Sequence, residues 1–267
     1  MAADKTPIVL IHGLWMSPHS WSGWIERYGA AGHSVHAPAW PGVSGLDEEL
    51  DHTKAPADIR LGEVVDHYAA FVRALPEPPI LMGHSFGGLI TQMLLGRGLG
   101  RAGVAIHPAA PRGVYRLPLS VLRAAWPVFR RPSNRHRAVL LSPAEFHYAF
   151  ANTVSRAESD SWHAKLAIPA PGGPLFQSAV ANFLPKSRAA TVVDYAKPDR
   201  APLLLIAGGR DHITPPSVVY ENFNRYRRSA APTDFKLFED RPHLTAALDG
   251  WTDVADYALT WTARRSG

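Results

Sequence analysis

Residues 79–88 read Pro79-Ile80-Leu81-Met82-Gly83-His84-Ser85-Phe86-Gly87-Gly88. Ile80 to Met82 form a short apolar run of the kind that makes a buried strand. Gly83-His84-Ser85-Phe86-Gly87 is a Gly-x-Ser-x-Gly pattern. Beyond it Leu89, Ile90, Met93 and Leu94 recur at helical spacing. The serine therefore stands at a strand-to-helix turn. Such a turn leaves no room for side chains at its flanks, and it holds the serine in a strained conformation with its hydroxyl above the sheet edge. A pattern this short also arises by chance in roughly one random chain in ten of this composition. The strand before it and the helix after it are what make Ser85 a candidate nucleophile.

Upstream, Pro7 to Ile11 is a continuous apolar run, as a strand buried on both faces should be. His12-Gly13-Leu14-Trp15 follows it. Ser17-Pro18 opens a helix through Trp21, Trp24, Ile25 and Tyr28, closed by Gly32. A second strand is expected over Ser34 to Pro38. Leu46 to Ala57 reads as a polar surface excursion, and Ile59 to Leu75 as an amphipathic helix leading into the Ser85 strand. Downstream, Gly103 to Ile106 is the next strand, with His107-Pro108 at its end.

From Pro111 to about Lys197 the alternation stops. This stretch holds Pro- and Arg-rich connections and helix signals, of which Ser142-Pro143-Ala144-Glu145 is a capping box with proline at the first helical position. Phe146, Phe150, Val154, Trp162 and Leu166 supply apolar faces, and Gly173-Pro174 opens another helical stretch. A structureless loop of this length does not suit a compact domain. A mostly helical cap over 111–197 is therefore expected, inserted into a core made of 1–110 and 198–267. Alternation resumes with Pro202 to Ala207, a helix from Pro216 to Arg228, a strand from Asp234 to Phe238 and a closing helix from Trp251 to Arg264. Strands alternating with helices predict an α/β fold whose sheet is mostly parallel and doubly wound.

The 267 residues are 46% hydrophobic, enough for one sizeable core, and no apolar run approaches a membrane span. Met1 to Lys5 lack the apolar segment of a signal peptide, so a soluble cytoplasmic protein is expected. The chain has no cysteine, which excludes disulfides and thiolate chemistry. Its 13 histidines follow no metal-ligand spacing, so neither a metal nor another cofactor is expected. Net charge is +5, and no nucleic-acid-binding motif accompanies it. The excess is concentrated between Arg112 and Arg137, where seven arginines occur with no Asp or Glu. That run reads as a solvated outer rim, or as a face for an anionic substrate, membrane surface or partner.

Loops after the carboxyl ends of parallel strands converge on one sheet edge. Here those loops carry His12-Gly13-Leu14, Ser85, Asp211 and His243. A serine hydroxyl needs a base. Histidine serves near neutral pH, and a carboxylate fixes its tautomer. The order Ser…Asp…His is the one this architecture uses.

With His12-Gly13 after the first strand, Gly83 to Gly88, Gly209-Arg210-Asp211-His212 and Pro242-His243, the chain resembles the α/β-hydrolase superfamily. The resemblance spans nearly everything but the insertion. It implies that Ser85 attacks, that His243 acts as base and then acid, and that Asp211 orients His243. It also implies an oxyanion hole from the N–H groups of Leu14 and Phe86. Asp240 and Asp194 are the substitute acids. Trp15 and His107 are the candidates for lining the substrate pocket, and His12 and His84 for structural roles. Cap aromatics, among them Trp126, Phe129, Phe150 and Phe183, are expected to roof the pocket.

Ser85 argues against the Asp nucleophile of dehalogenases and most epoxide hydrolases of this fold, and Leu244 against the lysine of hydroxynitrile lyases. The expected reaction is hydrolysis of a carboxylic ester, thioester or lactone of an apolar small molecule. The alternatives are a C–C bond hydrolase or biosynthetic tailoring enzyme with the same triad, or a hydrolase-like receptor with little turnover. The sequence sets no oligomeric state.

Overall fold

A computed structural model describes residues 6–53, 56 and 58–265. The chain runs through β1 (Ile8–Ile11), α1 (Ser22–Ala30), β2 (Val35–His36), α2 (Leu61–Ala74), β3 (Ile80–His84), α3 (Phe86–Gly96) and β4 (Ala102–Ile106). It then passes through α4 (Leu119–Phe129), β5 (Ala138–Val139), α5 (Pro143–Ala149), α6 (Arg156–Leu166), β6 (Ala170–Pro171) and α7 (Gly172–Val180). It closes with β7 (Leu203–Gly208), α8 (Pro216–Arg225), β8 (Thr233–Phe238) and α9 (Trp251–Arg265).

Six strands form one sheet in the order β2-β1-β3-β4-β7-β8, and every pairing in it is parallel. β1, β3, β4 and β7 are buried along their whole length. This explains their unbroken apolar runs, because both faces of each strand are covered. The pleat sends Ile8, Leu10, Ile80 and Met82 to one face, where they pack with Trp21, Trp24, Tyr28 and Trp261. Val9, Ile11 and Leu81 point to the other face and meet Val64, Tyr68, Leu89 and Leu94. The sheet is thus doubly wound, as the alternation predicts.

Between β4 and β7 lie four helices and a two-stranded antiparallel ladder, in which Ala138 pairs with Pro171 and Val139 with Ala170. Strands of two residues carry no periodicity a sequence could show. α5 begins with the capping box expected from sequence: Ser142 accepts from the Glu145 N–H, and Glu145 accepts from Ser142. The arginine-rich stretch, expected as connection, contains α4. Its outward-facing apolar side chains and the interior Pro127 hide the usual pattern. Trp126 and Phe183, expected to roof a pocket, instead face solvent with 63% and 87% of their surface exposed. No helix among the described residues is long and apolar enough to cross a membrane.

Candidate active site

Ser85 links β3 to α3 with φ 57° and ψ −120°, a conformation that L-residues rarely adopt. The turn is over-determined. The Ser85 N–H donates to the Ile106 carbonyl at 3.0 Å, and its carbonyl accepts from Gly88, Leu89 and Ala109. A Cβ on Gly83 would run into the Gly87 carbonyl, and one on Gly87 into the Ile11 carbonyl. Both glycines are therefore required where β1, β3 and α3 crowd together. Strain of this kind, held in place by its surroundings, is typical of functional positions. The loop after β1 reaches the same point, since a Cβ on Gly13 would stand 2.7 Å from the Ser85 Cβ.

Asp211 follows β7, and its two oxygens have different tasks. Oδ1 accepts the N–H groups of Ile213 and Thr214 at 2.7 and 2.8 Å, which fixes the carboxylate to its own turn. Oδ2 accepts from His243 Nδ1 at 2.7 Å and from His107 Nδ1 at 2.8 Å. The Thr214 hydroxyl lies 2.9 Å from the same oxygen. His243 itself is anchored from behind: His84 Nε2 donates to its carbonyl at 2.8 Å. The next N–H, of Leu244, donates to Phe150 in the chain between β4 and β7.

Asp211, His107 and His243 are all buried. Burial works against the Asp211 charge, but the histidines His243 and His107 outweigh it and hold the carboxyl well below its usual range. The His107 and His84 rings are pushed down from the usual histidine range, chiefly by burial. At neutral pH Asp211 is thus a carboxylate with two imidazole N–H donors on one oxygen. Nε2 of His243 and Nε2 of His107 have no hydrogen-bond partner among the described residues. The ring nitrogens of His84, His107 and His243 approach within 4.8 Å of one another. Nδ1 of His107 and of His243 is taken up by Asp211, and Nε2 of His84 by the His243 carbonyl.

The loop after β1 is held on both sides. Burial lowers His12 to about 4, and as a neutral ring it donates from Nδ1 to Gly13 O and accepts the Trp40 N–H at Nε2. Leu14 is buried, and Trp15 takes a positive φ of 64°. The Trp15 indole N–H donates to Val139 at 3.0 Å, and its carbonyl accepts from Ile168 at 3.1 Å. The Trp15 ring meets Phe150 edge-on at 6.0 Å, and Phe150 meets His243 at 5.1 Å. The Phe86 N–H opens α3, where no carbonyl of the helix stands behind it.

The sequence-predicted residues are therefore placed as follows. Asp211 and His243 meet directly, and Ser85, Gly13 and Leu14 lie on adjoining loops at the same sheet edge. Asp240 is exposed, and Asp194 bonds the N–H of Ala196 on its own loop. His107, expected to line the pocket, has no exposed surface and is a second partner of Asp211. Trp15 is nearly buried and tied to Val139 in the chain between β4 and β7. Thr214 and the bond from His84 to the His243 backbone escaped the sequence reading. The Asp-x-x-Thr spacing was a signal for Thr214, whereas nothing local pointed from His84 to position 243. A cleft of about 580 Å³ lies behind the His243 loop, lined by Asn152, Glu158, Arg210, Arg241 and Asp249 among others. It is polar and does not include Ser85.

The same fold is found in known structures. A methylesterase from Arabidopsis superposes with a TM-score of 0.62 at 16% identity, covering 97% of this chain and 99% of that one. An extracellular α/β-hydrolase from a Paenibacillus species gives 0.69 at 18%, covering 96% and 98%. Tomato methylketone synthase I gives 0.69 at 16%, covering 98% and 99%. At these identities the likeness is one of fold. No curated protein matches at the level of sequence. A family model does match, over residues 8–257, nearly the whole described chain and all of the loops just described. This chain belongs to the alpha/beta hydrolase family.

Proposed function

We propose that this protein is a serine hydrolase that cleaves a carboxylic ester, thioester or lactone of an apolar small molecule through an acyl-enzyme. The observation that carries the reading is the strained Ser85 elbow at the same sheet edge as a buried histidine whose Nδ1 is bound to Asp211 at 2.7 Å and whose Nε2 has no partner among the described residues. In this scheme His243 Nε2 takes the Ser85 proton as the hydroxyl attacks the carbonyl carbon. Asp211 keeps the tautomer that presents Nε2 and stabilises the imidazolium that forms. The oxyanion is received by the N–H groups of Leu14 and Phe86, each supplying about 3 kcal/mol of transition-state stabilisation. His243 then returns the proton to the leaving alkoxide. Water repeats the sequence on the acyl-enzyme, and Ser85 is released.

The surroundings of His243 support an apolar substrate. Trp15, Phe146 and Phe150 form a continuous ring system beside it, with Phe146 stacked on Phe150 at 5.0 Å. We assign residues 111–197 as the cap over this edge and 1–110 with 198–267 as the core. Among the structural neighbours are a methylesterase and a polyneuridine aldehyde esterase, whose names are in line with ester cleavage.

The test is labelling with a fluorophosphonate probe, followed by mapping of the adduct. The label is expected on Ser85, and Ser85→Ala is expected to lower kcat on chromogenic esters by about 10⁶-fold, as when a triad serine is removed. An adduct at another serine, or full activity in Ser85→Ala, ends the assignment.

A further inference from the structure

α4 turns its apolar side chains outward. Leu119, Leu122 and Trp126 lie at helical positions i, i+3 and i+7 and are 83%, 46% and 63% exposed. Arg123 and Arg130 fall on the same stripe and are exposed as well. The opposite side of the helix, Ala124, Pro127 and Val128, is the one that packs on the protein. Two neighbouring segments add to this face. Leu117 just before the helix is 61% exposed, and Phe183 after α7 is 87% exposed. The second segment is fastened alongside the first, because Asn182 bonds the backbone of Gly113 and Val114. Single exposed apolar side chains need no explanation, but three large ones on one face of one helix, with Leu117 and Phe183 exposed on nearby segments, do.

Within this segment itself the charged side chains have one sign. No Asp or Glu occurs from Arg112 to Arg137. Arg116, Arg130 and Arg131 are exposed and make no ion pair among the described residues, while Arg123 lies over the Tyr148 ring at 3.9 Å. Glu221 faces this region but is taken up by Arg225 and the backbone of Tyr115 and Arg116. A twofold contact with a second copy would set this arginine run against itself, so the face does not suit self-association.

We propose that this face docks the protein on an anionic lipid surface. Leucine, tryptophan and phenylalanine side chains enter the headgroup boundary, and the arginines flank them. Their aliphatic stems cover apolar surface and their guanidinium groups reach lipid phosphates. α4 thus lies in the plane of the interface, held from beneath by its own protein. The docking is peripheral and reversible. It is independent of which bond the active site cleaves.

Flotation of the full chain with vesicles of phosphatidylglycerol and phosphatidylcholine tests this. The protein is expected to float with vesicles containing phosphatidylglycerol, to stay behind with pure phosphatidylcholine, and to be released by added salt. The variant R123Q/R130Q/R131Q should lower the partition coefficient roughly tenfold or more. The variant L119S/L122S/W126S should lose binding while keeping its circular dichroism and melting midpoint. In W126F binding should persist, but most of the blue shift of tryptophan emission on adding vesicles should disappear. Failure to float at low salt overturns the proposal, and so does equal binding by wild type and the arginine variant. A concentration-dependent dimer without lipid that L119S/L122S/W126S dissolves would give the face to a second copy, which also overturns it.

Discussion

α3 and α4 are both eleven residues long and both rich in leucine. In α3, Leu89, Ile90, Leu94 and Leu95 are wholly buried, and the helix is enclosed by β1, β3 and β4. In α4 the leucines and the tryptophan look outward, and small residues make the internal contact. The apolar content of a helix therefore does not say what it packs on. Direction decides it, and direction comes from what flanks the helix. α3 is entered from a buried strand through a turn admitting only glycine at its edges. α4 is entered from the exposed Leu117-Pro118 segment with no sheet strand to steer it. The first arrangement builds a site that tolerates no change, and the second leaves a face free to meet something else.

Asp211→Asn, on the loop that faces the start of α3, should lower kcat by about 10³- to 10⁴-fold with little change in KM, because the amide favours the wrong tautomer of His243. Asp240→Asn should leave kcat within a few-fold. Reversal of that order in steady-state kinetics would move the acid to Asp240.

The same truncation in the two helices should give opposite results. Leu94→Ala, in the core, is expected to cost about 2–5 kcal/mol of stability in urea unfolding. Leu119→Ala, at 83% exposure, should stay within about 0.5 kcal/mol of wild type. A large loss at Leu119 would show that α4 packs its apolar face on the protein in solution, and the contrast between the helices would collapse.

Buried neutral histidines give the core a pH dependence that the exposed face lacks. His12 is lowered from 6.5 to about 4, so the unfolded chain takes up its proton first. Stability from this group is complete above pH 6.5 and is lost as pH falls toward 4, by about 3 kcal/mol in all. His84 and His107 shift in the same direction and steepen the same slope. Asp211 is depressed too, but a carboxylate loses its contribution only below its unfolded value of 3.8, so it acts at the acid end of the window. Urea unfolding as a function of pH should show this slope, and His12→Asn should flatten it by about one proton.

The smallest expected effect concerns His107. It shares Asp211 Oδ2 with His243. In His107→Asn the carboxylate loses one of its two imidazole donors, and kcat should fall only a few-fold in steady-state kinetics. An unchanged kcat would make His107 a packing residue.

How much of this was legible in the sequence depended on how local the cause was. β1, β3, β4 and β7 could be read because burial on both faces leaves uninterrupted apolar runs. Ser85 could be read because the elbow forces glycine on both sides of it. Asp211 and His243 were found from position alone, as polar residues just past strand ends. The role of His107 could not be read in advance. Its partner is 104 residues away, and a histidine at a strand end looks the same whether it faces a pocket or a carboxylate. α4 was illegible for a different reason. Its pattern has the right period but the opposite sense, and Pro127 interrupts it.

The two bonds that hold Trp15 reach across to Val139 and Ile168, in the stretch between β4 and β7. The tryptophan follows directly on Leu14, which the proposed mechanism uses to receive the oxyanion. The loop after β1 is thus tied by two hydrogen bonds to residues far downstream in the chain, so its shape depends on how the stretch between β4 and β7 packs.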